Sequence, residues 1–317
     1  IRTKLVEQFP AVPKYQYELA VAHGNLGNLL DDLGKGEEAR AELQAAGDIF
    51  KKLAEQFPAV PAYQLDLAAT HNNRGVLLKK LGKGEEARAE FHAARDIRKK
   101  LALQFPAVPA YQIHLGGSYC NYGILIRDQG KSAESLEWFD LAIRTLQPVH
   151  DQEPRDVTAK QALRSSHWSR AEAYDRLHKF ADAVKDWDRA IELSPPAERP
   201  GLRASRATCQ LQAGMVAEAV AEVAELTKPG ADASGSERWN AGQWYDFACV
   251  YAVASKTGGI NPPARQQHAD RAMALLQKAV KAGFNNAAHM KKDTDLDPLR
   301  DRADFKELLE SLAKPKR

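Results

Sequence analysis

A few residues have the types and spacing that chemistry needs. Asp293, Asp295 and Asp297 alternate like the opening carboxylates of a calcium loop. Pro298 stands where such a loop requires glycine, so capping of the last helices is the reading they favour. Gly34-Lys35-Gly36 and Gly82-Lys83-Gly84 have phosphate-cradle composition. They are too short for one and no strand pattern precedes them, which makes them turns between helices. His23 and His71 recur at a fixed spacing, with Tyr119 at the next equivalent position. Neither has a Cys or His at ligand spacing, so both read as core or shoulder residues rather than metal ligands. His167, His178, His268 and His289 are scattered, and no Ser/His/Asp or Cys/His arrangement or nucleotide fingerprint is legible. The residues therefore predict a chain that is not an enzyme and holds no cofactor and no metal.

Composition narrows the class further. The 317 residues carry 45 Lys plus Arg against 42 Asp plus Glu, a formal charge of +3. That balance disfavours nucleic acid as a partner. With 44 % hydrophobic and 27 % charged residues, the chain is globular rather than disordered. It has no apolar run long enough to span a membrane. Cys120, Cys209 and Cys249 cannot all pair, so they read as buried thiols of a reducing, cytoplasmic compartment.

The elements that position these residues come from a repeat. Phe9-Pro10-Ala11-Val12-Pro13 returns at Phe57 and again at Phe105, a period of 48 residues. Residues 5–52 and 53–100 agree at 33 of 48 positions, far beyond chance. Each copy reads as two helices. Leu67, Thr70, Val76, Leu77 and Leu81 keep helical spacing, Gly82-Lys83-Gly84 breaks the run, and Glu85-Glu86 open the second helix at the positive end of its dipole. Pro106 stops that helix, and Val108-Pro109 set the entry to the next. A lone helical hairpin cannot bury its apolar face, whereas stacked hairpins can.

The small-then-large pattern resembles the tetratricopeptide repeat. Gly27, Ala39, Leu43 and Ala46 in the first copy become Gly75, Ala87, Phe91 and Ala94 in the second, and Gly123, Ser135, Phe139 and Ala142 in the third. A fourth set is Ala171, Ala183, Trp187, Ala190 and Pro195. A fifth is Ala207, Ala219 and Val223, departing from the pattern at Gln210 and Leu226. A sixth is Ala248, Ala272, Leu276 and Ala279. The long second helix resembles the kinesin-light-chain form of the repeat. The tail, from Trp244-Tyr245-Asp246 to Pro298-Leu299-Arg300, resembles terminal repeats of planctomycete-type bacterial proteins, many of them tails of Ser/Thr kinases.

The resemblance implies an all-α, right-handed superhelical solenoid of about six units with a C-terminal capping helix. The expected divisions are 1–10, the end of an upstream repeat; 11–153, three 48-residue units; 154–235, two shorter units; and 236–317, a terminal unit whose inter-helix loop is lengthened over 255–264. Residues 1–10 match 49–58, so the sequence is expected to be a fragment of a longer protein. Its close, over 314–317, is polar like a natural terminus.

The resemblance also implies a site. First helices line a concave groove, and one groove position often holds Asn that hydrogen-bonds an extended peptide. Asn25, Asn73 and Asn121 occupy it here, followed by Ser169, Ser205 and Asp246. The alternative is that these amides bond neighbouring helices or recur only through duplication. Asn28, Lys79, Lys80, Arg127 and Trp168 fall nearby, and the cations among them favour an acidic peptide. The expected function is a protein-interaction scaffold with a protein or peptide partner; the alternative is the regulatory tail of a kinase encoded upstream. Trp138, Trp187, Trp239 and Trp244 read as packing residues.

Overall fold

The structure is a computed structural model that describes residues 1–228, 239–259 and 261–313. It contains helices and no strand among the described residues, and it divides into two compact units, Ile1–Leu177 and His178–Arg317. The expected division between 235 and 236, Ile260, and the polar close over 314–317 lie outside the described residues.

The first unit is the duplicated region. A short α1 (Arg2–Gln8) precedes three hairpins: α2 (Pro13–Asp32) with α3 (Gly36–Gln56), α4 (Pro61–Lys80) with α5 (Gly84–Gln104), and α6 (Pro109–Asp128) with α7 (Ser132–Gln152). Helix α8 (Val157–Arg176) packs on α7 and α6. Each first helix opens on a proline at N1, where the missing N–H has no helical partner to lose. Each second helix carries an acidic first turn. The Gly-Lys-Gly strings are turns: Gly82 takes φ +73°, a region that disfavours side chains, and Lys83 N–H returns to Leu78 carbonyl. His178, just past α8, has φ 56° and is the one non-glycine in that region among the described residues.

The small-large pattern has a direct cause. A Cβ at Gly75 would lie 2.8 Å from the Phe91 ring, and one at Gly123 would lie 2.7 Å from the Phe139 ring. Each large side chain of a second helix rests on bare backbone of its first helix. Phe91 and Phe139 are buried as a result, as are Ala87, Ala94 and Ala142. One core position breaks the pattern. Where the neighbouring repeats bury Phe50 and Leu146, the second buries Arg98, whose guanidinium donates to Ser118 Oγ at 2.8 Å and to the His114 carbonyl at 3.2 Å. Its Nε finds no partner among the described residues, and burial pushes its pKa down to about 10.

The second unit contains α9 (Phe180–Leu193), α10 (Arg199–Gln212), α11 (Val216–Leu226), α12 (Ala241–Lys256), α13 (Pro262–Lys281), α14 (Ala287–Lys292), a 3-10 helix over Thr294–Leu299, and α15 (Ala303–Ala313). Its core gathers Trp239, Phe247, Met273, Leu276, Leu296 and Phe305. At the departures from the pattern, Leu226 is buried in this core, while Gln210 is buried with its side-chain oxygen unpartnered among the described residues. The connection between α12 and α13 is shorter than its Gly/Pro content implies. Ser255 and Lys256 stay helical, and Pro262 opens α13 beneath an Asn261 cap that accepts from Ala264 N–H. Asp293 caps the 3-10 helix, accepting from Asp295 N–H at 3.0 Å, which is the capping role its spacing suggests.

Candidate functional site

In the first unit the predicted groove residues lie on first helices, which sit side by side, and most of them reach across to the next first helix. Lys80 Nζ donates to Asp31 at 2.7 Å, and Lys79 Nζ donates to Asp128 at 3.1 Å. Asn73 donates to Asn28 at 3.2 Å, and Asn121 donates to Asn72 at 2.8 Å. Arg127 bonds Asp128 on its own helix and Glu172 on α8, and its guanidinium also donates to the Ser169 carbonyl. Partners are separated by 45 or 49 residues, one repeat shifted by minus three or plus one. Those two offsets differ by one helical turn, so each side chain meets the nearest rung above or below. Trp168 is part-exposed, with its indole N–H on Glu172 at 2.9 Å. Asn25 is exposed on α2.

The histidines follow the same logic within hairpins. His23 Nδ1 and Glu42 Oε2 are 2.5 Å apart, and His71 Nδ1 and Glu90 Oε2 are 2.6 Å apart, with Arg74 completing the second pair at 2.9 Å. They are shoulder residues joining first helix to second. Cys120, Cys209 and Cys249 are buried, and none of them forms a disulfide among the described residues. Among the described residues no group of three or more His, Cys, Asp or Glu is placed to hold a metal ion. No helix among them is long and apolar enough to cross a membrane.

The second unit holds an arrangement that sequence reasoning missed. Tyr245 and Asp246 on α12, Gln212 on α10, Phe284 after α13, His289 on α14, and Asp293 and Asp295 line a cleft of about 280 Å³. Tyr245 donates its hydroxyl to Asp293 at 2.6 Å, and the rings of Tyr245 and Phe284 stack in parallel at 4.3 Å. Burial first, and the hydrogen bond to Asp293 second, push the Tyr245 phenol far up. The Asp246 carboxyl opens on the cleft, and the cleft walls together with Asp293 push it up to about 6. Asp295 is also raised, by burial and by Asp293. No ion pair to Asp246 forms among the described residues, whereas His289 Nε2 lies 3.7 Å from Asp293. The legible signal was Tyr245, Asp246 and Cys249 on adjacent helical faces. What hid the site was the remoteness of Asp293, which depends on how the last turns fold back.

No protein-family profile and no curated protein matches the sequence. Solved structures do. BtubC (BKLC) from P. vanneervenii superposes with a TM-score of 0.54 at 15 % identity, over 78 % of this chain and 93 % of that one. YrrB, described as a TPR protein with an unusual peptide-binding site, matches at 17 % identity over 74 % and 96 %, with a TM-score of 0.45. TTC0263, described as a thermophilic TPR protein in Thermus thermophilus, matches at 21 % identity over 65 % and 89 %, with a TM-score of 0.35. With the stacked helix pairs and the small-large interlock at Gly75 and Gly123, the chain has the fold of a tetratricopeptide-repeat protein.

Proposed function

We propose that the chain is a protein-interaction scaffold whose second unit takes a cationic side chain of a peptide or partner segment in the cleft beside α12. The observation that carries this is the Asp246 carboxyl, which faces the cleft without an ion-pair partner among the described residues. The Tyr245–Phe284 stack beside it gives an ammonium or guanidinium an aromatic wall. Within the first unit, taken by itself, Asn25, Asn28 and Trp168 are the predicted groove positions exposed enough to meet a separate ligand. Lys79, Lys80 and Arg127 already have carboxylates, so an acidic ligand would have to displace Asp31, Asp128 or Glu172.

Selection from a displayed random-peptide library tests this. The expected result is enrichment of Lys- or Arg-containing peptides whose affinity falls about tenfold in Asp246→Asn. Enrichment of acidic peptides that lose affinity in Lys80→Met would overturn the cationic anchor and keep the scaffold. No enrichment at all would remove both.

A further inference from the structure

The three carboxylates of the cleft beside α12 are not equivalent. Asp293 is already spent. It accepts from the Tyr245 hydroxyl at 2.6 Å, from Asp295 N–H at 3.0 Å and from the Cys249 thiol at 3.8 Å, with His289 Nε2 3.7 Å away. Asp246 and Asp295 are left for something else. They come from different elements, α12 and the 3-10 helix after α14, yet border the same cleft. Among the described residues the Asp295 side chain accepts from the Gln212 amide alone, at 3.4 Å, and neither carboxyl has an ion pair. Burial first, then Asp293, Asp295 and Asp246 in turn, push the Cys249 thiol up, so all three carboxylates stand around one sulfur.

The molecule's own cations do not fill this place. Arg300, the guanidinium closest in sequence, bonds Asp297 and the carbonyls of Lys291 and Asp293, and it does not border the cleft. Phe284 forms part of the wall, half-buried, with the Tyr245 ring stacked parallel on it at 4.3 Å. At about 280 Å³ the cleft is smaller than the site of a drug-sized ligand and suits the end of one side chain. Two kinds of cationic side chain differ in how they meet such a wall. An ammonium is a compact charge whose three donors diverge from one atom. A guanidinium is flat, carries five donors along its edges, and bonds two carboxylates from two directions while its face lies on an aromatic ring.

We propose that the cleft is an arginine site: it takes the guanidinium of an arginine side chain of a partner protein between Asp246 and Asp295, its flat face against Phe284. This rests on the reading of the cleft as a cation anchor. It adds Asp295 and Phe284 as the groups that choose arginine over lysine.

The test uses fluorescein-labelled pentapeptide pools whose central residue is fixed as arginine, lysine or citrulline and whose flanking positions are random. Binding to the whole chain is read by fluorescence anisotropy at about pH 7.5 and one salt concentration. The arginine pool should bind about tenfold more tightly than the lysine pool, and the uncharged citrulline pool should bind more weakly than either. Asp295→Asn should bring the arginine pool down to the lysine pool while moving the lysine pool by less than about twofold, which also reports that the variant is folded. Asp246→Asn should weaken both charged pools. Equal binding of arginine and lysine, both weakened by Asp246→Asn, would overturn the arginine site and keep the cation anchor. An arginine preference that Asp295→Asn leaves intact would overturn the two-carboxylate fork. Citrulline binding as tightly as arginine, or no binding by any pool, would remove the anchor and the arginine site with it.

Discussion

The two units put their polar side chains to opposite ends. In the first, polar groups on neighbouring first helices come in complementary pairs: Lys80 with Asp31, Lys79 with Asp128, Asn121 with Asn72. In the second, like charges gather. Asp246, Asp293 and Asp295 share one cleft, and Asp246 is driven up to about 6. A duplicated sequence that changes Asp31 and Asp32 to Lys79 and Lys80 creates its own counter-ions one repeat away. A divergent sequence has no such constraint and can leave a charge for something else. A charged residue on a repeat face is therefore evidence for a ligand only once its neighbours one repeat away have been asked what they pair with.

Breaking the hydrogen bond at the heart of the second unit should give the largest effect. Tyr245→Phe leaves Asp293 without its hydroxyl donor and should cost about 1.5–3 kcal/mol in chemical denaturation, the usual loss for a bond to a charged group. A loss near zero would mean that solvent replaces the phenol and that the cleft is wetter than its geometry implies. In the first unit the change of opposite sign is Arg98→Leu. It exchanges a buried guanidinium with no carboxylate partner for the residue type its neighbours bury there, and should raise stability by about 1–2 kcal/mol. A loss of stability would show that the bonds to Ser118 and His114 outweigh desolvation.

Asp246→Asn sharpens the contrast through pH. The folded state holds this carboxyl at about 6 against a usual 3.8, so the folded chain binds more protons than the unfolded chain between those values. The wild-type protein should therefore lose stability as pH rises from about 4 to about 6. The variant should lack that slope, and above pH 6 it should be more stable by no more than about 1 kcal/mol, because the group is open to solvent. Identical slopes in thermal melts across that range would show that Asp246 is not held out of its ordinary range. The smallest effect belongs to Lys80→Met. Its ion pair with Asp31 is exposed, so the cost should stay below about 0.5 kcal/mol and shrink further in high salt. A cost several times larger would mean that the inter-repeat pairs hold the unit together rather than merely neutralise its face.

Much of this was legible in the sequence because it depended on period. The interlock of Gly75 with Phe91, the Gly82 turn and the prolines that open first helices all follow from spacing within one repeat. The pairing of Asn121 with Asn72 did not, because it depends on how far one helix slides along the next. Offsets of 45 and 49 residues are set by packing, not by the period of 48. Asn73 was placed on the right helix while its partner Asn28 could not be read. The cleft beside α12 was hidden for a different reason. Asp293 looked like part of a failed calcium loop, and only the fold of the last turns brings it to Tyr245. The connection after Lys256 was expected to be longer because glycine and proline read as loop, yet Pro262 at N1 costs a helix nothing.

The most direct test of the contrast is calorimetric titration of one selected Lys- or Arg-containing peptide into three proteins at the same salt concentration. These are the wild type, Asp246→Asn, and a triple variant with Asn25→Ala, Asn73→Ala and Asn121→Ala. Asp246→Asn should lose about tenfold in affinity, and the triple variant should lose less. A triple variant that loses binding while Asp246→Asn keeps it would overturn the cationic anchor and return the site to the paired face of the first unit.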